Sequence, residues 1–105
     1  MKDKLIEYVN DMGFTSKIIG KSVNSMYSSR DFYYLWLCEL QKWCRDTQYL
    51  DVFISSSIKE NHYDWDIYSQ EEESTVNHCE EPYADYQDAL EIGLYEACKI
   101  IKEKE

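Results

Sequence analysis

The sequence predicts an α+β protein in which a small antiparallel sheet packs against two main helices. Apolar residues recur at helical spacing in the middle of the chain and at its C-terminal end, and they alternate with polar residues between those segments. The length of 105 residues and an apolar fraction of 44% fit a single domain, residues 1–105, with one modest core. We therefore expect two layers, with about three strands in one layer and the helices in the other. A short N-terminal helix completes the predicted fold.

Two of the helices are predicted at the start and in the middle of the chain. The first covers residues 3–12, and Gly13 supplies the left-handed conformation that often ends a helix. The second is predicted to end near Arg45 or Asp46. Its apolar face is expected to consist of Phe32, Leu35, Trp36, Leu40 and Trp43, with Tyr33 and Leu37 widening it. Residues 15–29 lack a clear pattern and are predicted to be mostly loop.

The segment after the second helix has the period of two that is typical of strands. Residues 50–54 alternate in this way, and residues 63–67 do so more regularly. Residues 59–61 lie between the two runs and suit the turn of an antiparallel hairpin. Because a two-stranded hairpin is only marginally stable, a third strand is expected at residues 75–79.

The last helix has the strongest sequence signal. Asp85 is the expected N-cap, and Asp88 lies at the capping-box position. The apolar stripe consists of Ala89, Leu90, Gly93, Leu94, Ala97, Ile100 and Ile101. Its small residues, four apart, allow close packing against a sheet or another helix. The core is expected to include Leu40, Trp43, Trp65, Ile67, Leu90, Leu94 and Ala97.

The composition argues against several classes of protein. Lys and Arg total 11, Asp and Glu total 21, and the formal net charge is −10, so direct binding to nucleic acid is not expected. No segment approaches the roughly 18 apolar residues of a membrane span. The N-terminal residues lack the apolar run of a secretory signal, so a cytoplasmic location with reduced cysteines is expected. We expect no cofactor.

Two helical segments resemble recurring sequences. Residues 37–45, LCELQKWCR, resemble a recurring LLQKWLRE helix, and residues 86–101, YQDALEIGLYEACKII, resemble a recurring YEEALEAGLxEALKLI helix. In this order the chain resembles a family of small uncharacterised proteins associated with phages and prophages of gut Bacteroidetes. These are packing motifs, so the resemblance implies a fold and implies no catalytic residue. Cys44 and Cys98 depart from the family, where leucine is usual, and so does the extra acidic segment at 70–81.

The candidate polar face of the second strand consists of His62, Asp64, Asp66 and Tyr68. Alternate positions place these side chains on one surface, with residues two apart about 7 Å from each other. Two carboxylates, an imidazole and a phenol could bind a metal or supply acid–base groups. A solvated outer face is the ordinary pattern of an antiparallel sheet, and we therefore expect neither a metal nor catalytic residues here.

Two weaker alternatives involve cysteines. His62, His78, Cys79 and Cys98 could form a zinc site, but no pair has the short spacing of a structural one. Cys79 could pair with His78 or His62 as a nucleophile, although sequence neighbours on a strand point to opposite faces. Cys98 lies in an apolar stripe, which is typical of a small core residue.

The candidate interaction surface combines tyrosines with acidic residues and consists of Tyr33, Tyr34, Glu71, Glu72 and Glu73. The chain has ten Tyr, three Trp and three Phe, which is more than a core of this size can bury. Tyr and Trp are favoured at interfaces. The acidic residues could imitate a nucleic-acid backbone and occupy a basic partner, or they could form solvated loops.

These observations favour a non-enzymatic protein-interaction module of a phage or mobile element, with an unidentified protein partner of basic character. A homodimer with a tyrosine-lined seam is left open. One alternative is a small-molecule or nucleotide-binding module with an aromatic pocket. The other is a metal-dependent enzyme centred on His62, Asp64 and Asp66.

Overall fold

The computed structural model describes residues 2–14, 30–57 and 60–104. In chain order the elements are α1 (Lys2–Asp11), α2 (Arg30–Gln48), β1 (Leu50–Ser57), β2 (His62–Ser69), β3 (Ser74–His78) and α3 (Tyr86–Glu103). The predicted α+β class is confirmed, because the strands form one antiparallel sheet in the order β1-β2-β3 and helices pack against it. Residues 15–29, predicted to be mostly loop, lie outside the described residues.

The predicted hairpin is formed by β1 and β2. The two strands pair along their whole length, from Leu50 opposite Ser69 to Ser57 opposite His62. Asn61 in the connecting turn has a φ of 52°, in the left-handed region that asparagine tolerates better than most residues. The alternation in the sequence therefore sorts side chains onto two faces, and Val52 and Ile67 lie opposite each other on the buried one.

The third strand begins one residue earlier than predicted, at Ser74. It pairs antiparallel with β2, and a register shift between Ile67 and Tyr68 marks a β-bulge. An isolated bridge between Tyr63 and Tyr83 extends the pairing along β2 beyond the end of β3. The chain after β3 thus returns to the sheet before α3 begins.

Each edge strand of the sheet has a main-chain group bonded to a side-chain amide. Gln41 Nε2 on α2 donates to the Val52 carbonyl in β1 at 2.6 Å. The His78 N–H in β3 donates to Asn77 Oδ1 at 2.9 Å. These bonds occupy main-chain groups that could otherwise pair with a strand of another chain.

The last helix has the predicted cap and stripe. Asp85 Oδ1 accepts from the N–H groups of Gln87 and Asp88 at 2.8 and 3.4 Å. The helix lies very close to the sheet at Gly93, where an added Cβ would be 3.0 Å from Trp65 Cβ and from Val52 Cγ1. The stripe residues are buried except Ile100, which is half-buried.

The predicted apolar face of α2 needs a correction. Phe32 and Leu35 are 49% and 47% exposed, and Trp43 is only half-buried. The buried residues are Tyr33, Trp36, Leu37, Leu40 and Cys44. The helix is therefore rotated relative to the prediction, so that Tyr33 and Leu37, expected at the margin of the apolar face, lie in the core. It ends at Gln48, slightly beyond the predicted end near Arg45 or Asp46.

The first helix completes the core from the side of α3. Leu5 and Val9 are buried, and Lys102 on α3 forms an exposed ion pair with Asp11 at 3.3 Å. Gly13 ends the helix with a φ of 85°, as its position in the sequence predicts. None of the helices in the described part of the chain has both the length and the apolar character needed to span a bilayer.

Candidate functional site

The predicted polar face lies on the side of the sheet that points away from the buried residues. His62, Asp64, Asp66 and Tyr68 alternate with Trp65, Ile67 and the other core-facing residues of β2, and they are half-buried. Across the hairpin, Asp66 lies opposite Phe53, which is 50% exposed. This outer face is therefore acidic, with an exposed aromatic ring in it.

The imidazole on this face is flanked by carboxylates. His62 Nδ1 lies 3.2 Å from Glu60 Oε2, and its Nε2 lies 3.7 Å from Asp64 Oδ2. Each ring nitrogen thus lies next to a different carboxylate, so the imidazole and the two carboxylates do not point towards one common position. Within the described ranges, no three His, Cys, Asp or Glu side chains converge on a point that could hold a metal ion.

The two cysteines that the sequence analysis considered for zinc or catalysis occupy different environments. Cys98 is fully buried in α3, whereas Cys79 follows β3 and is half-buried. The Cys79 thiol accepts a hydrogen bond from the main-chain N–H of Trp65 at 3.3 Å and donates one to Asp64 Oδ1 at 3.5 Å. Burial raises the pKa of the Cys79 thiol, and the carboxylates of Asp64 and Asp66 raise it further, against the lowering effect of the Trp65 N–H. These surroundings disfavour the thiolate that a nucleophile needs.

The tyrosines of the candidate interaction surface occupy two different environments. Tyr33 is only 4% exposed, and its hydroxyl donates to Glu91 Oε2 at 2.5 Å, so its predicted place on a surface is wrong. Tyr34 is half-buried, and its ring meets the edge of Tyr86, which in turn contacts Tyr63. Burial raises the pKa of the Tyr34 hydroxyl, and its hydrogen bond with Cys38 acts in the same direction.

Tyr34 and the acidic turn do not form one surface. Glu71, Glu72 and Glu73 are exposed in the turn between β2 and β3, and Glu71 shares a cavity with Gln48 at the end of α2. Tyr34 lies near the start of α2, and 14 residues of helix span roughly 21 Å. Tyr34 and the predicted glutamates therefore lie near opposite ends of α2 and do not form one combined surface.

The charges are strongly segregated along the chain. Between Glu60 and Cys98 there are twelve Asp and Glu residues and no Lys or Arg. We call residues 60–98 the acidic half, which comprises β2, β3 and most of α3. The Lys and Arg residues of the described ranges lie on α1, on α2 and after Cys98. The absence of Lys and Arg from residues 60–98 is visible in the sequence. The sequence analysis missed it because it considered only short acidic runs such as Glu71–Glu73.

A cavity of about 400 Å³ lies in the acidic half, between the end of β3 and α3. Its walls are formed by Trp65, Asn77, residues 78–81, Tyr83, Ile92 and Glu96. We call this the β3–α3 cavity. Sequence reasoning missed Tyr83, Ile92 and Glu96, because only the return of the chain to β2 at Tyr83 brings them together with β3.

The described residues form a small α+β protein whose acidic half comprises residues 60–98. Comparison of the chain with protein-family models, with curated protein sequences and with solved structures found no match.

Proposed function

We propose that this protein is a non-enzymatic interaction module that binds a basic surface of a partner protein through its acidic half. The supporting observation is the absence of Lys and Arg between Glu60 and Cys98, across two strands and most of a helix. A surface of one sign attracts partners of the opposite sign and accelerates their association. The same surface repels the phosphates of nucleic acids.

Several acidic side chains in this region are available to a partner. Glu72, Glu73, Glu80 and Glu81 are exposed, and none forms an ion pair with another residue of the described ranges. Glu96 differs, because Lys99 lies 3.4 Å from its carboxylate. Exposed carboxylates that form no ion pair within the protein are accessible to a cation of a partner, which supports a role in binding.

The two alternative functions have less support. A metal-dependent enzyme centred on His62, Asp64 and Asp66 needs ligands that converge, whereas Glu60 and Asp64 flank the two nitrogens of His62 separately. A nucleotide-binding module needs a pocket that accepts phosphate groups, whereas the β3–α3 cavity, which Trp65 and Tyr83 help to line, also carries Glu80, Glu81 and Glu96. The resemblance to a phage-associated family assigns no activity.

The proposal is tested with a fluorescein-labelled peptide in which arginine alternates with serine, followed by fluorescence anisotropy. The triple variant E72Q/E73Q/E81Q removes three charges from the acidic half, and the control D3N/E7Q/E103Q removes three exposed charges elsewhere. We expect the first variant to bind at least about fivefold more weakly than wild type and the control to lose less than about twofold. Equal losses, or no binding by the wild-type protein, would contradict the proposal.

A further inference from the structure

The main-chain groups of β1 alternate in direction along the strand. The Gln70 N–H donates to the Tyr49 carbonyl at 2.9 Å, so these two residues, which flank the hairpin strands, form a hydrogen-bonded pair. Hydrogen-bonded and non-hydrogen-bonded pairs alternate in an antiparallel ladder, so the even-numbered residues of β1 direct their N–H and C=O groups away from β2. The bond from Gln41 to the Val52 carbonyl agrees with this direction.

Further along the strand, the outward main-chain groups belong to Ile54 and Ser56. Within the described part of the chain, no hydrogen bond reaches the outward N–H and C=O groups of these two residues. Ser56 lies on the same face of the strand as Leu50 and Val52, yet it is exposed whereas they are buried. The helices therefore leave this end of β1 uncovered, and its edge is open to another strand.

The other edge of the sheet is protected in ways that the β1 edge is not. β3 has only five residues and pairs through a β-bulge, and Asn77 Oδ1 accepts from the His78 N–H. The exposed pairs Glu72–Glu73 and Glu80–Glu81 flank this strand. Such features keep edge strands from pairing with other chains. β1, in contrast, has eight residues, no bulge, no Lys or Pro and no charged side chain after Asp51, so it is suited to strand addition.

The distribution of charge indicates which strand can be added. The chain has a formal net charge of −10, so two copies repel each other wherever their acidic surfaces meet. Residues 52–57, VFISSS, carry no charge, and they form a surface on which a second copy can approach. This edge lies outside residues 60–98, so it is separate from the surface that the proposed function assigns to a basic partner.

We propose that β1 pairs antiparallel with β1 of a second copy of this chain, about a two-fold axis at Ser55. Ile54 of each copy then lies opposite Ser56 of the other, and each such pair exchanges two main-chain hydrogen bonds, which uses all the outward groups of both residues. A register shifted by two residues would place Ser56 opposite Val52, whose carbonyl is already bonded to Gln41. The inference goes beyond the proposed function and does not depend on it.

The same register gives two apolar side chains a new neighbour. Ile54 is half-buried, and the Ile54 side chains of the two copies lie diagonal to each other across the axis. Phe53, which is 50% exposed on the outer face, lies opposite Ser57 of the second copy. Because the contact is small, the dimer is expected to be weak, with a Kd of about 0.1 mM.

Two substitutions at Ser56 test the pairing. Ser56→Pro removes the outward N–H and leaves the bonds to β2 intact, since proline is tolerated where the N–H of an edge strand faces solvent. Ser56→Ala keeps the N–H and is the matched control. In sedimentation velocity at up to about 1 mM protein, we expect dimerisation to weaken at least about tenfold for Ser56→Pro and less than about twofold for Ser56→Ala. A monomeric wild type, or equal dimerisation of all three proteins, would overturn the proposal.

Charges introduced at Ser55 test the position of the axis, whether or not Ser56→Pro folds. Because Ser55 lies opposite its own copy, Ser55→Lys and Ser55→Glu each bring like charges together and are expected to dimerise at least about tenfold more weakly than wild type. In native mass spectrometry, a mixture of the two variants is expected to form mainly the heterodimer. Thr75 is exposed on β3, and a mixture of Thr75→Lys with Thr75→Glu is the control, for which we expect a statistical distribution. A statistical distribution for the Ser55 variants would contradict the proposed axis.

Amide hydrogen exchange measures the alternation of β1 directly. The N–H groups of Phe53 and Ser55 bond to β2 within one copy, whereas those of Ile54 and Ser56 face outward. Between about 10 μM and about 1 mM protein, we expect exchange at Ile54 and Ser56 to slow at least about threefold and exchange at Phe53 and Ser55 to stay unchanged. Equal slowing of all four amides would show that the copies associate through another surface, and the proposal would then be wrong.

Discussion

At the scale of single residues, Tyr49 holds the backbone in an unfavourable conformation. It follows the last residue of α2 with a φ of 58°, where a side chain costs about 1–2 kcal/mol and glycine is preferred. Because the side chain is 49% exposed, Tyr49→Gly loses little packing. We expect this variant to raise the free energy of unfolding by about 0.5–1 kcal/mol in urea denaturation, after the entropy that glycine adds to the unfolded chain. Tyr49→Ala retains a Cβ, and an equal gain there would contradict this explanation.

A second residue-scale prediction concerns pH. The pKa of the Cys44 thiol is raised well above its ordinary range by a hydrogen bond with Cys98 and by burial. The folded protein therefore keeps this proton to higher pH than the unfolded chain does. The contribution of the protonated Cys44 thiol to stability is fully present below about pH 8.5, the ordinary thiol pKa. It is lost as the pH rises above that value.

The measurement is the free energy of unfolding at about pH 7 and about pH 10. We expect wild type to lose more stability over this interval than Cys44→Ala does. The raised pKa values of Tyr34 and Cys79 act in the same direction, so Cys44→Ala is still expected to lose some stability over this interval. Identical losses in the two proteins would show that ionisation of Cys44 is not coupled to folding.

Residues whose roles depend on nearby sequence were predictable, and residues whose roles depend on distant partners were not. Asp85 caps groups two and three positions away, and Gly13 ends the helix it follows, so local chemistry identifies both. Tyr33 was misplaced because its hydroxyl bonds to Glu91, 58 positions later. The cavity around Trp65 likewise depends on a loop that only the folded chain brings to β2.

At the scale of secondary-structure elements, α2 and α3 differ in how clearly their apolar faces can be read. In α3 small and large apolar residues form one stripe, which fixes the buried side. In α2 the run FYYLWL, residues 32–37, surrounds much of the helix, so periodicity leaves its rotation open. The hairpin was predictable from its alternation, whereas the β-bulge before Tyr68 has no signature in the sequence.

A pair of substitutions tests both helix faces. Leu94 is fully buried on α3, and Leu35 is 47% exposed on α2. Leu94→Asp is expected to abolish cooperative unfolding, because an unpaired buried charge costs several kcal/mol against a total stability of about 5–15 kcal/mol. Leu35→Asp is expected to change the free energy of unfolding by less than about 1 kcal/mol. Thermal unfolding followed by circular dichroism distinguishes them, and a cooperative melt for Leu94→Asp would show that the α3 face is misassigned.

At the scale of the whole molecule, the distribution of charge matters more than the net charge for the binding of a basic partner. Self-repulsion within a one-sign surface disfavours compact folding, and a basic partner relieves it. Within the described ranges, Glu72, Glu73, Glu80 and Glu81 form no ion pair, and Lys99 pairs with Glu96 at the boundary of the acidic half. Binding of a basic partner is therefore expected to stabilise the folded state, by an amount that grows with the logarithm of the partner concentration divided by its Kd.

The most direct test of the central claim is to map amide chemical-shift changes along the ¹⁵N-labelled wild-type chain as the alternating arginine–serine peptide is added at about 150 mM salt. We expect the largest changes to fall within residues 60–98. We expect little change in α1 and in residues 99–104. Changes concentrated on α1 or α2, spread evenly over the chain, or absent at saturating peptide would contradict the assignment of the acidic half as the binding surface.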